Sequence, residues 1–263
     1  MAGRRPGDRE PKHAADTYVL SYPKAGRTWL RALVGEALVE HYGVPRERLL
    51  DTAVLTGRAG LPRATFYHDG SAMIDGHTWR DLPSDKSAYR DKRVVLIGRD
   101  VRDILVSAYF QATRRIDAFD GPIAAFVRDD RFGARKVVAF YRHWWDARQV
   151  PAAFLFVRYE AMHRDAASVL GQVLAFLGAG DVPRATIERA VDSARFDRMR
   201  ESEASEAFPS HMMRTSAQTD PEAFKLRKGV VGGFHDYLSA DDVAWIDACE
   251  ARHGCEFTRP AAN

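Results

Sequence analysis

The stretch "YPKAGRTW", residues 22–29, sets a lysine, a glycine and a threonine where the apolar run "TYVLS" gives way to helical spacing. A helix N-terminus has unpaired N–H groups and partial positive charge, so a strand-to-helix turn of this kind suits an anion. Gly26 lets the backbone come close to a ligand, and Lys24 puts a point charge at the mouth. Thr28 can cap the helix or bond a phosphate oxygen. In the Walker loop the lysine follows the glycines and the next hydroxyl holds magnesium. Here the lysine comes first, no GK[ST] follows and no Walker B aspartate stands out, which argues against an ATPase or GTPase.

Two further stretches share this chemistry. "VVLIGRDVRDILVSAYF" (94–110) brings Arg99 to the end of a strand and Ser107 two turns into the next helix. An arginine fork and a hydroxyl can meet on one anionic group. "RKGVVGGF" (227–234) adds Arg227, Lys228 and the permissive Gly229. Three anion contacts in one domain suggest a ligand with several negative groups, such as a nucleotide with phosphates at two positions.

These groups need a scaffold. Four apolar runs, 17–22, 72–76, 93–99 and 153–160, show little alternation, and we expect buried parallel strands there. Leu30, Leu33, Val34, Ala37 and Leu38 recur at helix spacing, as do Val137, Phe140, Tyr141, Trp144 and Trp145. Strand–helix alternation predicts an α/β three-layer sandwich with a central parallel sheet and a P-loop-like anion loop. Segments 51–70 and 201–224 read as irregular binding loops. Residues 1–16 read as a disordered tail without a secretory h-region, and 17–263 as a single domain.

The 263 residues carry 39 basic and 36 acidic side chains, a formal net charge of +3. That is not the basic excess of a nucleic-acid binder. With no apolar run long enough for a membrane span, a cytoplasmic protein is expected. Cys249 and Cys255 fit no zinc spacing and read as free thiols.

The three motifs, in this order, resemble those of the cytosolic-type sulfotransferases that use 3′-phosphoadenosine 5′-phosphosulfate (PAPS). "YPKAGRTW" is similar to their Y-P-K-[SA]-G-x-T-W loop. "GRDVRDILVSAYF" is similar to R-[ND]-x-[KR]-D-x-x-[VL]-S-x-[YF], and "RKGVVGGF" to R-K-G-x-x-G-[DH]-[WF]. The resemblance runs from about Tyr18 to Phe257. It implies that Lys24 contacts the phosphosulfate and bridging oxygen, and that Ala25, Gly26, Arg27 and Thr28 cradle the 5′-phosphate. Trp29, Tyr159 and Phe196 would contact the adenine. Arg99, Ser107, Arg227, Lys228 and Gly229 would hold the 3′-phosphate. The family's general base is a histidine at a strand's end. His77 follows the run 72–76 and precedes Arg99 by 22 residues, about the family spacing. His77 is thus the expected base, with His68 and His211 as reserves. Asp75 and Gly76 replace the usual lysine and threonine before it. Ala25, Arg27, Gly233 and Phe234 are further departures, and the animal dimer motif is missing.

The implied reaction is in-line sulfuryl transfer from PAPS to the hydroxyl of a small-molecule phenol or alcohol, releasing adenosine 3′,5′-bisphosphate (PAP). His77 would be the base, Lys24 and Ser107 would assist, and no metal would be needed. Phe66, Tyr67, Phe110, Phe208, Met212 and Met213 are expected to line an apolar acceptor pocket. The arginine- and alanine-rich composition suggests a bacterial member acting on a small metabolite. The alternatives are a P-loop-like small-molecule kinase and a non-catalytic nucleotide-binding relative.

Overall fold

The computed structural model describes residues 15–204, 229–255 and 258. Among these residues four strands form one parallel sheet in the order β2-β1-β3-β4. They are β1 (Thr17–Ser21), β2 (Ala64–Tyr67), β3 (Arg93–Gly98) and β4 (Ala153–Arg158). The central β1 and β3 are buried almost throughout, as expected for strands covered on both faces. Ala15 is already buried and Asp16 bonds across to Arg63, so the fold begins inside the stretch read as a tail. Residues 1–14 lie outside the described residues.

Ten α-helices are described. They are α1 (Arg27–Tyr42), α2 (Thr52–Arg58), α3 (Val101–Arg114), α4 (Ile123–Phe126) and α5 (Ala134–Asp146), followed by α6 (Tyr159–Arg164), α7 (Ala166–Phe176), α8 (Arg184–Ser193), α9 (Phe196–Ala204) and α10 (Ala240–His253). The crossover from β1 runs to one side of the sheet and that from β3 to the other. Right-handed crossovers in opposite directions put their helices on opposite faces. Accordingly α1 packs with α2, α7 and α8, while α5 packs with α3 and α10. The result is the expected three-layer sandwich. Leu30, Leu33 and Leu38 of α1 are sealed against the sheet, each contributing on the order of 1.5–3 kcal/mol. On α5, Val137, Phe140, Tyr141 and Trp144 do the same.

The second strand is not where the apolar run 72–76 predicted it. That run forms a 3₁₀ turn, Met73–Asp75, closed by Gly76 at φ 70°. Met73 faces inward while Ile74 is 70% exposed. The strand is "ATFY" (64–67), whose Ala64 and Phe66 are buried while Thr65 and Tyr67 are only partly so. As an edge strand it carries a period-two pattern rather than a continuous apolar run. Segment 51–70 therefore holds α2 and β2 and is not an irregular loop.

Candidate active site

Each strand hands a chemistry-bearing side chain to the same edge of the sheet. Lys24 follows β1, His68 follows β2, Arg99 follows β3 and Tyr159 follows β4. Because all strands are parallel, these residues meet at the carboxyl ends, where α/β sheets bind ligands beside the point at which the strand order reverses. That point lies between β1 and β3. A cavity of about 280 Å³ opens there, lined by all four residues together with Gly26, Arg27, Thr28, Trp29 and Ser107.

The turn after β1 is built for close backbone approach. Lys24 takes a left-handed conformation, φ 71°, which costs a non-glycine residue about 1–3 kcal/mol and collects at functional sites. Gly26 is the N-cap of α1 at φ 96° and makes no side-chain cap; no acidic residue occupies the first turn. The helix N-terminus therefore keeps its attraction for an anion. A Cβ at Gly26 would lie 2.3 Å from the Tyr159 ring, so only glycine lets loop and ring come this close. Ala25 is fully buried beneath the turn.

Arg99 ties three elements together. Its guanidinium donates to the Lys24 carbonyl at 3.0 Å and to the Val230 carbonyl at 3.1 Å, and it stacks 4.2 Å from the Tyr159 ring centroid. Asp103, one turn on, accepts from the N–H groups of Gly232 (2.8 Å) and Phe234 (3.1 Å) and lies 3.7 Å from Arg99. Burial pushes the Asp103 carboxyl above the usual range, against the pull of Arg99 and these two donors. Ser107 and Gln111 continue the same face of α3 into the cavity. Gln111 Oε1 accepts from Lys24 Nζ at 3.4 Å.

The far wall is aromatic. Trp29 is pinned by its indole N–H, 3.0 Å from the Ala194 carbonyl. Its ring meets Tyr159 at 5.9 Å and His163 at 4.9 Å. Burial, then Arg99, hold the His163 imidazole below its ordinary range. Phe196 also lines the cavity and presses on Gly229, where a Cβ would lie 2.3 Å from the ring. Asp103, Gln111 and His163 were missed in the sequence. Spacing could have found them: the first two flank Ser107 by four residues, and His163 follows Tyr159 by four.

Some expected site residues lie elsewhere. His77 is exposed on the 72–82 segment, with Nδ1 3.2 Å from the Gly70 carbonyl, and does not line the cavity. The histidine at a strand's end is His68. The position expected for His77 depended on a strand at 72–76 that does not form. Phe66 and Tyr67 stand on the faces of β2, under Arg31 and against Tyr18, and not over its end. Phe110 packs on Tyr109 and Tyr237, turned away from the cavity that its neighbour Gln111 lines. Arg227, Lys228, Phe208, His211, Met212 and Met213 lie outside the described residues.

A family model of the sulfotransferase domain matches residues 66–252. The chain belongs to the sulfotransferase family. As a member it is a PAPS-dependent sulfotransferase. Among curated relatives it is 26% identical to cytosolic sulfotransferase 17 of Arabidopsis thaliana over 252 residues, covering 88% of this chain and 72% of that one. It is 28% identical to sulfotransferase 4A1 of Mus musculus over 182 residues, covering 64% of this chain and 61% of the relative. The fold matches mouse sulfotransferase SULT7A1 complexed with PAP, with a TM-score of 0.61 at 23% identity, covering 94% of this chain and 86% of that one. It also matches retinol dehydratase in complex with retinol and PAP, at 0.65 and 15%, covering 94% and 83%. Among the described residues of this sulfotransferase no helix is long and apolar enough to cross a membrane.

Proposed function

We propose that this sulfotransferase moves a sulfuryl group from PAPS to the hydroxyl of a small hydrophobic acceptor, with His68 as general base. The observation that carries the reading is the place of His68. It shares one cavity with Lys24, Arg99 and Ser107, and its Nδ1 lies 2.9 Å from the Ser21 carbonyl. A carbonyl can only accept, so Nδ1 holds the proton and Nε2 is the basic nitrogen.

The residues fit the donor. Gly26 and Gly229 let the loop backbones lie close against the Tyr159 and Phe196 rings, where a Cβ would clash at 2.3 Å, and the uncapped start of α1 with Lys24 suits the phosphosulfate. Arg99 and Ser107 suit the 3′-phosphate, with Arg227 and Lys228 by sequence motif. Trp29, Tyr159 and Phe196 offer ring faces to the adenine. PAPS supplies the sulfuryl group and leaves as PAP. His68 Nε2 takes the acceptor's hydroxyl proton as the new S–O bond forms. Lys24 meets the charge that grows on the bridging oxygen as the old S–O bond breaks. Catalysis of this kind is positioning and charge stabilisation.

On the acceptor side Met73, Ile74, Ile116 and Met199 present apolar surface to the cavity beside the amide of Gln111. That lining favours a phenol or hydrophobic alcohol over a charged glycan. Calorimetric titration with PAP in EDTA, alongside ATP with magnesium, tests the donor. Tight PAP binding without metal is expected. Magnesium-dependent ATP binding with no PAP binding would replace the reading with a kinase.

A further inference from the structure

His68 leaves an edge strand of the described sheet, with β1 on one side only, so its outer side needs something other than a strand to hold it. Its carbonyl accepts from both the N–H (3.0 Å) and the Oγ (2.6 Å) of Ser71, folding residues 68–71 into a tight turn. Asp69 sits inside this turn at φ 46°, left-handed and unfavourable for any residue with a Cβ. Its carboxylate is almost fully enclosed. Oδ2 lies 2.7 Å from Lys86 Nζ, and Oδ1 accepts from the Tyr89 hydroxyl at 2.7 Å. Lys86 is equally buried, donates to the Pro83 carbonyl and lies 4.7 Å from the Trp144 ring centroid.

Burying an ion pair costs about as much as the pair returns, so stability alone does not explain the cluster. Its location does. The strained residue it grips is the one directly after the base, and strain of this kind persists only where the surroundings over-determine it. We propose that Asp69, Lys86 and Tyr89 form a clamp that positions His68, holding the turn so that the imidazole keeps its Nδ1–H on the Ser21 carbonyl and its Nε2 toward the cavity. This rests on the reading of His68 as the base. The three act through His68 and need touch neither donor nor acceptor.

The test is ¹⁵N-edited NMR of the His68 ring in the full chain, assigned by loss of its signal in His68→Gln. Two backgrounds are compared with the native protein. Tyr89→Phe removes one hydroxyl, and the pair Asp69→Asn with Lys86→Gln keeps shape while removing both buried charges. The native ring is expected as one Nδ1–H tautomer with a slowly exchanging proton. In both variants the proton exchanges at least about fivefold faster, equivalent to one lost hydrogen bond, and the other tautomer appears. PAP affinity is unchanged, which shows the donor loops intact. An unchanged ring in variants that bind PAP overturns the clamp. Should the double variant fail to fold, Tyr89→Phe decides alone. PAPS turnover by His68→Ala is measured beside these; native turnover there overturns the base, and with it the clamp's catalytic meaning, whatever the ring shows.

Discussion

His68 and His77 are nine residues apart and differ in what their surroundings let them do. His68 is half-buried at a strand's end, with one ring nitrogen committed to a carbonyl. His77 is exposed to solvent, beyond a 3₁₀ turn. Replacing His68 by alanine should lower turnover by roughly 10²–10⁴-fold, the usual worth of a general base, while PAP affinity holds. The same change at His77 should leave turnover near native; comparing the two rates decides between them. Gly26→Ala should weaken PAP binding, because its methyl would meet Tyr159; native affinity in a titration of that variant would show that the close approach is dispensable. Lys24, Gly26, Thr28, Arg99 and Ser107, which line the cavity, were legible because their types and the strand-to-helix turns announce themselves. His68 was placed behind His77, because histidine is common and the choice depended on which short apolar run became a strand.

At the scale of elements, three strands and the two patterned helices followed from apolar runs and helix spacing. β2 did not, because an edge strand of four residues alternates and was masked by the glycines and proline around it. Packing also set a group in an unfavourable place that the sequence did not reveal. Lys136 of α5 is 1% exposed, and burial lowers its ammonium from 10.5 to about 8, with Asp75, Asp81 and Asp129 opposing the shift. Below pH 8 both folded and unfolded chains hold the proton, and the folded one bears the full cost of burying it. Between about 8 and 10.5 only the unfolded chain binds it, so stability rises with pH through that window. Lys136→Met should therefore raise the thermal midpoint at pH 7, with a gain that fades toward pH 10. A variant destabilised at pH 7, with the loss persisting to pH 10, would show that the acidic neighbours outweigh the desolvation.

For the molecule as a whole, the sheet's reversal between β1 and β3 gathers four strand ends into one cavity, and Arg99 with Asp103 joins that edge to the 229–234 loop. Asp103→Ala strips the acceptor from two N–H groups of that loop. PAP affinity should fall on the order of tenfold, since each unpaired donor costs about 1–3 kcal/mol; an unchanged dissociation constant would show the loop holds itself. The sandwich was legible from strand–helix alternation. The joining of distant loops was not, because Asp103 and Gly232 are 129 residues apart and nothing local marks the pair. At this scale the proposed chemistry is sulfuryl transfer from PAPS with His68 as base. Its most direct test is the rate of PAP formation from PAPS with a panel of phenols, in EDTA, for the native chain, His68→Ala and His77→Ala. Phenol-dependent PAP release is expected from the native and His77→Ala proteins and almost none from His68→Ala. Native-rate release by His68→Ala, or its loss in His77→Ala, would contradict it.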